Sequence, residues 1–145
     1  MNKIGKYVAN QVLTASPAEL ILMLYDEGIR ALKKAEAAFA IDTPERFEAI
    51  HNHLVHTQDV IRELVLSLDM EKGGDVAKNL KPVYDFMLRH LIHANQEKKL
   101  QPVVDVREML TTLREAWQQV LEKEQDCKDA PARVSYTENH ILAAG

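Results

Sequence analysis

Leu68-Asp-Met-Glu-Lys-Gly-Gly-Asp-Val-Ala-Lys-Asn-Leu-Lys-Pro-Val-Tyr-Asp-Phe-Met-Leu-Arg-His-Leu-Ile-His-Ala-Asn95 joins two long segments of apolar periodicity through a pair of glycines. Gly73 and Gly74 are free to take the left-handed conformation that ends a helix, and Asp75 is placed to cap the next one by accepting from a backbone amide. A connection this short forces the two flanking helices to lie antiparallel. After it, Val76, Leu80, Val83, Met87, Leu91 and Ala94 form one stripe, with Tyr84, Leu88 and Ile92 beside it. Pro82 interrupts the pattern. An interior proline removes a backbone bond and costs roughly 3 kcal/mol, so the sequence predicts a kink between Lys78 and Pro82, or else a regular helix that begins only near Pro82.

Upstream of the glycines, Phe47, Ile50, Leu54, Thr57, Ile61, Leu64 and Leu68 alternate steps of three and four, the spacing that keeps a seam against an antiparallel partner. Asp42-Thr43-Pro44 starts that helix, with proline at its first turn. Ser16-Pro-Ala-Glu19 is a capping box and begins an earlier helix that runs to about Phe39 through Leu20, Leu24, Ala31, Ala35 and Phe39. Gly28 and the alanines permit a close neighbour. Downstream, Pro102 opens a fourth helix with the stripe Val103, Val106, Leu110, Leu113, Trp117 and Val120. Four amphipathic helices with short connections predict an all-α fold, an antiparallel up-down four-helix bundle with the stripes turned inward. The expected organisation is an N-terminal arm over 1–13, the bundle over 14–123, and a partly ordered C-terminal tail over 124–145. In that tail Ser135-Tyr-Thr-Glu138 is placed to cap a short turn holding Ile141 and Leu142.

A chain of 145 residues that is 46% hydrophobic can bury a core unaided, since a domain of this size hides about 70% of its unfolded surface. The formal net charge of −4 gives no basic footprint for nucleic acid. The longest apolar run, Leu20 to Tyr25, falls far short of the ~20 residues of a membrane span, and the N-terminus lacks a signal-peptide core. The expectation is a cytoplasmic protein without membrane insertion. Cys127 stands alone, which leaves no internal disulfide and suggests an inert thiol.

Histidines in helical bundles invite a search for metal or phosphoryl chemistry. Glu48-Ala-Ile-His51 matches half of a di-metal pattern, but a second Glu-x-x-His is missing. His53 with His56, and His90 with His93, share helix faces as two ligands would, yet two ligands make no structural site. None of these histidines has the lysine and glycine neighbours of a phosphotransfer centre, and no phosphate loop or nucleophile triad appears. The reading is a protein that is not an enzyme and needs no cofactor and no metal. Tyr25-Asp26 and Tyr84-Asp85 form two similar steps. Such tyrosines either close a core edge with a wet hydroxyl or line a groove for a partner helix.

Five blocks in order, Thr14-Ala-Ser-Pro-Ala-Glu-Leu-Ile-Leu-Met-Leu-Tyr-Asp26, Leu68-Asp-Met-Glu-Lys-Gly-Gly74, Asn79-Leu80, Tyr84-Asp-Phe-Met87 and Leu113-Arg-Glu-Ala-Trp117, closely resemble the FliS family of flagellar secretion chaperones. The similarity spans roughly Val12 to Leu121. It departs from the family's pattern at Tyr25-Asp-Glu-Gly-Ile29, at Pro82 and after Glu124. The resemblance implies a bundle that binds the disordered C-terminal segment of flagellin, prevents its polymerisation in the cytoplasm and passes it to the flagellar type III export apparatus, whose components are further possible partners. It also implies that the N-terminal arm, here Ile4, Tyr7 and Val8, lies over the binding surface and moves aside. With Tyr25, Tyr84, Leu88 and Ile92 these are the expected partner-binding residues, in a monomer or weak homodimer. The alternative is a regulatory bundle that binds another helical partner.

Overall fold

A computed structural model describes residues 16–69 and 73–128. They form four helices, α1 (Pro17–Phe39), α2 (Glu45–Leu66), α3 (Gly74–Glu97) and α4 (Leu100–Lys128). Ser16 starts α1 as its sequence requires: the hydroxyl accepts from the Glu19 amide at 3.2 Å, and Pro17 takes the first position, where a missing amide costs nothing. Pro44 stands at the N-cap of α2 rather than within its first turn, and no side chain caps that end.

Each helix packs against two neighbours, α1 on α2 and α4, and α3 on α2 and α4, so the four close into a ring. The cross-links fix an antiparallel register. Along α1 and α4, Trp117 Nε1 donates to the Ala18 carbonyl at 2.8 Å, Arg114 Nε to Asp26 at 2.7 Å, and Arg107 to Glu36. His56 meets Glu27 between α2 and α1, Asn95 donates to His51 Nδ1 between α3 and α2, and His90 meets Asp105 between α3 and α4. This is the all-α up-down four-helix bundle that the periodicity predicts.

The buried stripe of α1 is Ala18, Ile21, Tyr25, Gly28, Ala31, Leu32, Ala35 and Ala38. Leu20 and Leu24, expected in the stripe, are only partly buried. Small residues let α2 and α4 approach closely: a Cβ on Gly28 would lie 3.1 Å from Leu110 Cδ1 and 3.5 Å from Val60 Cγ1. α3, by contrast, buries Tyr84, Met87 and Leu91, and stands off further from its neighbours.

Several expectations are corrected here. Gly74 does take a positive φ of 55°, but it opens α3 instead of closing α2, which ends at Leu66. Asp75 therefore lies inside the first turn of α3, with Gly73 at the cap position. Phe47 is 44% exposed, covered on one face by the Arg46 guanidinium at 4.8 Å, so the α2 seam begins at Ile50. α3 runs from Gly74 through Pro82 to Glu97, which excludes a helix starting near Pro82. Its C-terminus is closed by Lys98 at φ 51°, the only non-glycine residue at positive φ among those described. α4 continues to Lys128, past the point where the sequence places the start of the tail.

Candidate functional site

Tyr25 and Tyr84 are each 2% exposed, and their hydroxyls bond to each other across the diagonal of the bundle. Burial raises the pKa of both phenols, so the pair is neutral and holds α1 to α3. The sequence left open a core edge with a wet hydroxyl or a groove for a partner helix, and the structure has both rings and both hydroxyls buried. The stripe 76, 80, 83 and its neighbour 77, 84 share Met87, Leu91 and Ala94. Periodicity cannot choose between them, and the structure buries Ala77 and Tyr84.

Apolar surface does flank α3 on both sides. Between α3 and α4 runs an open groove of about 470 Å³ lined by Val83, Met109, Leu113, Thr112, Asp105 and Glu108. Phe86, 41% exposed, stacks on His90 with ring centroids 4.8 Å apart. His90 Nε2 lies 3.2 Å from Asp105 Oδ2 and so bridges the two helices at the groove. Bonds from Gln101 and then His90 hold the Asp105 carboxyl below its ordinary pKa, keeping that rim anionic. The groove exists because α3 is held off by its large buried side chains, leaving Val83, Met109 and Leu113 only partly covered.

On the other side of α3, Leu88 is half-buried and Ile92 is 39% exposed, beside the His51–Asn95 link to α2. Leu88 and Ile92 thus keep the accessibility that partner contact requires, and Tyr25 and Tyr84 do not. Ile4, Tyr7 and Val8 lie outside the described residues, as does the cap at Ser135. Sequence reading missed Met109 and Phe86. Met109 stands one step from the buried Leu110, and Phe86 one step from the buried Met87, positions that a single-stripe reading assigns to solvent.

Each bridging histidine has a partner other than a metal ligand cluster. Among the described residues no group of three or more His, Cys, Asp or Glu side chains converges. No helix among them is long and apolar enough to cross a membrane. What the surface offers is apolar area with an anionic rim, suited to contact with another chain.

Fold and surface define a four-helix bundle with an open apolar groove between its two less intimately packed helices. A family model described as flagellar protein FliS matches residues 1–124. The chain is 35% identical over 117 residues to the flagellar secretion chaperone FliS of Salmonella typhimurium, covering 80% of this chain and 84% of that one. It is 31% identical over 123 residues to the FliS of Bacillus subtilis, covering 85% and 89%, and 35% identical over 114 residues to that of Vibrio cholerae, covering 78% and 81%. The chain belongs to the FliS family of flagellar secretion chaperones.

Proposed function

We propose that this protein is a cytoplasmic export chaperone that binds the disordered C-terminal region of flagellin, keeps it from polymerising, and delivers it to the flagellar type III export apparatus. Its work is binding without catalysis. The observation that carries this reading is the partly uncovered surface of α3, with Val83, Met109 and Leu113 on one side and Leu88 and Ile92 on the other, in a chain of this family. A disordered segment pays ordering entropy on binding, and a preformed apolar groove offsets it by burial. The arm residues Ile4, Tyr7 and Val8 compete for the same surface until flagellin displaces them.

Calorimetry tests this with the flagellin of the source cell. Its C-terminal region should bind in equimolar ratio with a negative heat-capacity change, gain helicity, and fail to assemble into filaments. Asp replacement of Leu88 or Met109 should weaken binding at least tenfold while leaving the melting transition cooperative. Absence of heat together with unhindered filament growth at micromolar chaperone would overturn the proposal.

A further inference from the structure

The seam diagonally opposite the α3/α4 groove gathers positive charge, on a chain whose net charge is −4. His56 Nε2 lies 3.0 Å from Glu27 Oε1, which sets the register of α2 against α1. From that level Arg30 and Lys34 follow along α1, while His53 and Arg46 follow along α2 in the same direction. Lys34, Arg30 and His56 all act electrostatically on His53, so these four stand together. Arg46 ends the row, its Nη1 donating to the Ile41 carbonyl at 3.2 Å. The row from His56 to Arg46 covers about 15 Å at ~1.5 Å of rise per residue. Glu27 is the carboxylate set into it, and Arg30 and His56 already engage that group. Among the described residues Lys34 and His53 belong to no ion pair.

We propose that this α1/α2 seam is an interaction surface for a short acidic segment of a partner protein, whose carboxylates meet Arg46, Lys34 and Arg30 and whose docking is coupled to proton uptake at His53. An extended segment rises ~3.3 Å per residue, so four or five residues span the row, and side chains on its one face recur every ~6.6 Å, close to one ~5.4 Å helical turn. Nucleic acid fits less well. Its phosphates continue past this row of about 15 Å onto a surface that carries the exposed Asp42, Glu45 and Glu48 and no wider basic area, whereas a segment of four or five residues ends with the row. Burial, then the charges of Lys34, His56 and Arg30, hold the His53 pKa below its ordinary value. Carboxylates placed there oppose that repulsion and raise it, so binding takes up protons and strengthens as pH falls toward 6, where glutamate is still ionised. The surface is independent of the α3/α4 groove, and both can be filled at once.

Titration calorimetry of the full chain with deca-glutamate at low salt tests the proposal. Binding should be roughly tenfold tighter near pH 6 than near pH 8, as one added charge interaction provides. Heats near pH 7 should change with the ionisation enthalpy of the buffer in the sense of proton uptake. Lys34→Glu should weaken binding about tenfold without altering the melting temperature, and His53→Gln should reduce proton uptake while preserving affinity near pH 8. Affinity unaffected by pH or by Lys34→Glu would overturn the proposal, and so would an oligothymidylate of equal length binding as tightly as deca-glutamate.

Discussion

Gly74 sits at φ 55° with open space where a Cβ would project, so its requirement for glycine is conformational and not steric. Gly74→Val should lower stability by more than about 1 kcal/mol, whereas Gly74→Asn, which tolerates the left-handed region, should cost less. Urea denaturation separates the two, and equal midpoints would contradict this turn. The Tyr25–Tyr84 pair makes a different kind of demand. Tyr84→Phe strands the Tyr25 hydroxyl in the core and should cost about 1–3 kcal/mol, while Tyr25→Phe combined with Tyr84→Phe should recover much of that loss, because both polar groups are then gone. A double-mutant cycle by chemical denaturation gives the coupling. Additive losses would mean that the hydroxyls act separately.

Among the elements, α1 is the most closely packed against its two neighbours. Its alanines and Gly28 bring α2 and α4 close, and Gly28 already has Leu110 Cδ1 at 3.1 Å from the position a Cβ would occupy. Gly28→Leu should therefore force α1 away from both neighbours and destabilise the bundle by about 1–3 kcal/mol, despite leucine's better helix propensity. α3 carries the opposite defect. Pro82 lies in its interior and is exposed, leaving the Lys78 carbonyl without its helical donor. Pro82→Ala should restore that bond and raise the melting temperature, by an amount equivalent to roughly 1–3 kcal/mol. A fall in thermal melting would show that α3 is bent to suit the proline and that its neighbours depend on the bend.

At the scale of the whole molecule, charge pairs tie the seams and make stability depend on pH. Burial works against ionisation of Glu27, but bonds from Arg30 and His56 outweigh it and hold the carboxyl below its ordinary pKa. A depressed carboxylate stabilises the fold above its unfolded pKa and loses that contribution as pH falls through the folded value. His53, also depressed, works in the same direction: its contribution is full above the ordinary histidine pKa and declines as pH drops below it. Stability should thus fall from about pH 6.5 downward and more steeply below pH 5. Glu27→Gln should cost about 1 kcal/mol near neutrality and flatten the steeper part, as thermal melts across pH would record. An unchanged acid limb would mean that Glu27 is not the group responsible.

Helix number, order and polarity were determined by the sequence itself, because caps such as Ser16 and three-and-four spacing such as Ile50, Leu54, Thr57 and Ile61 act over one or two turns. The family resemblance was legible too, in blocks such as Leu113-Arg-Glu-Ala-Trp117, whose indole donates to Ala18. Tertiary structure decided which of two adjacent stripes faces inward. Tyr84 shares its helix with both the 76–80–83 stripe and the buried one, and its burial with Ala77 and Met87, where its hydroxyl meets that of Tyr25, 59 residues away in sequence, is a choice local spacing does not make. The same choice leaves Val83, Met109 and Leu113 beside a groove and carries Tyr84 out of it. A binding surface on a bundle is made of residues with core-like periodicity, and how far apart two helices stand is fixed by the side chains of both together.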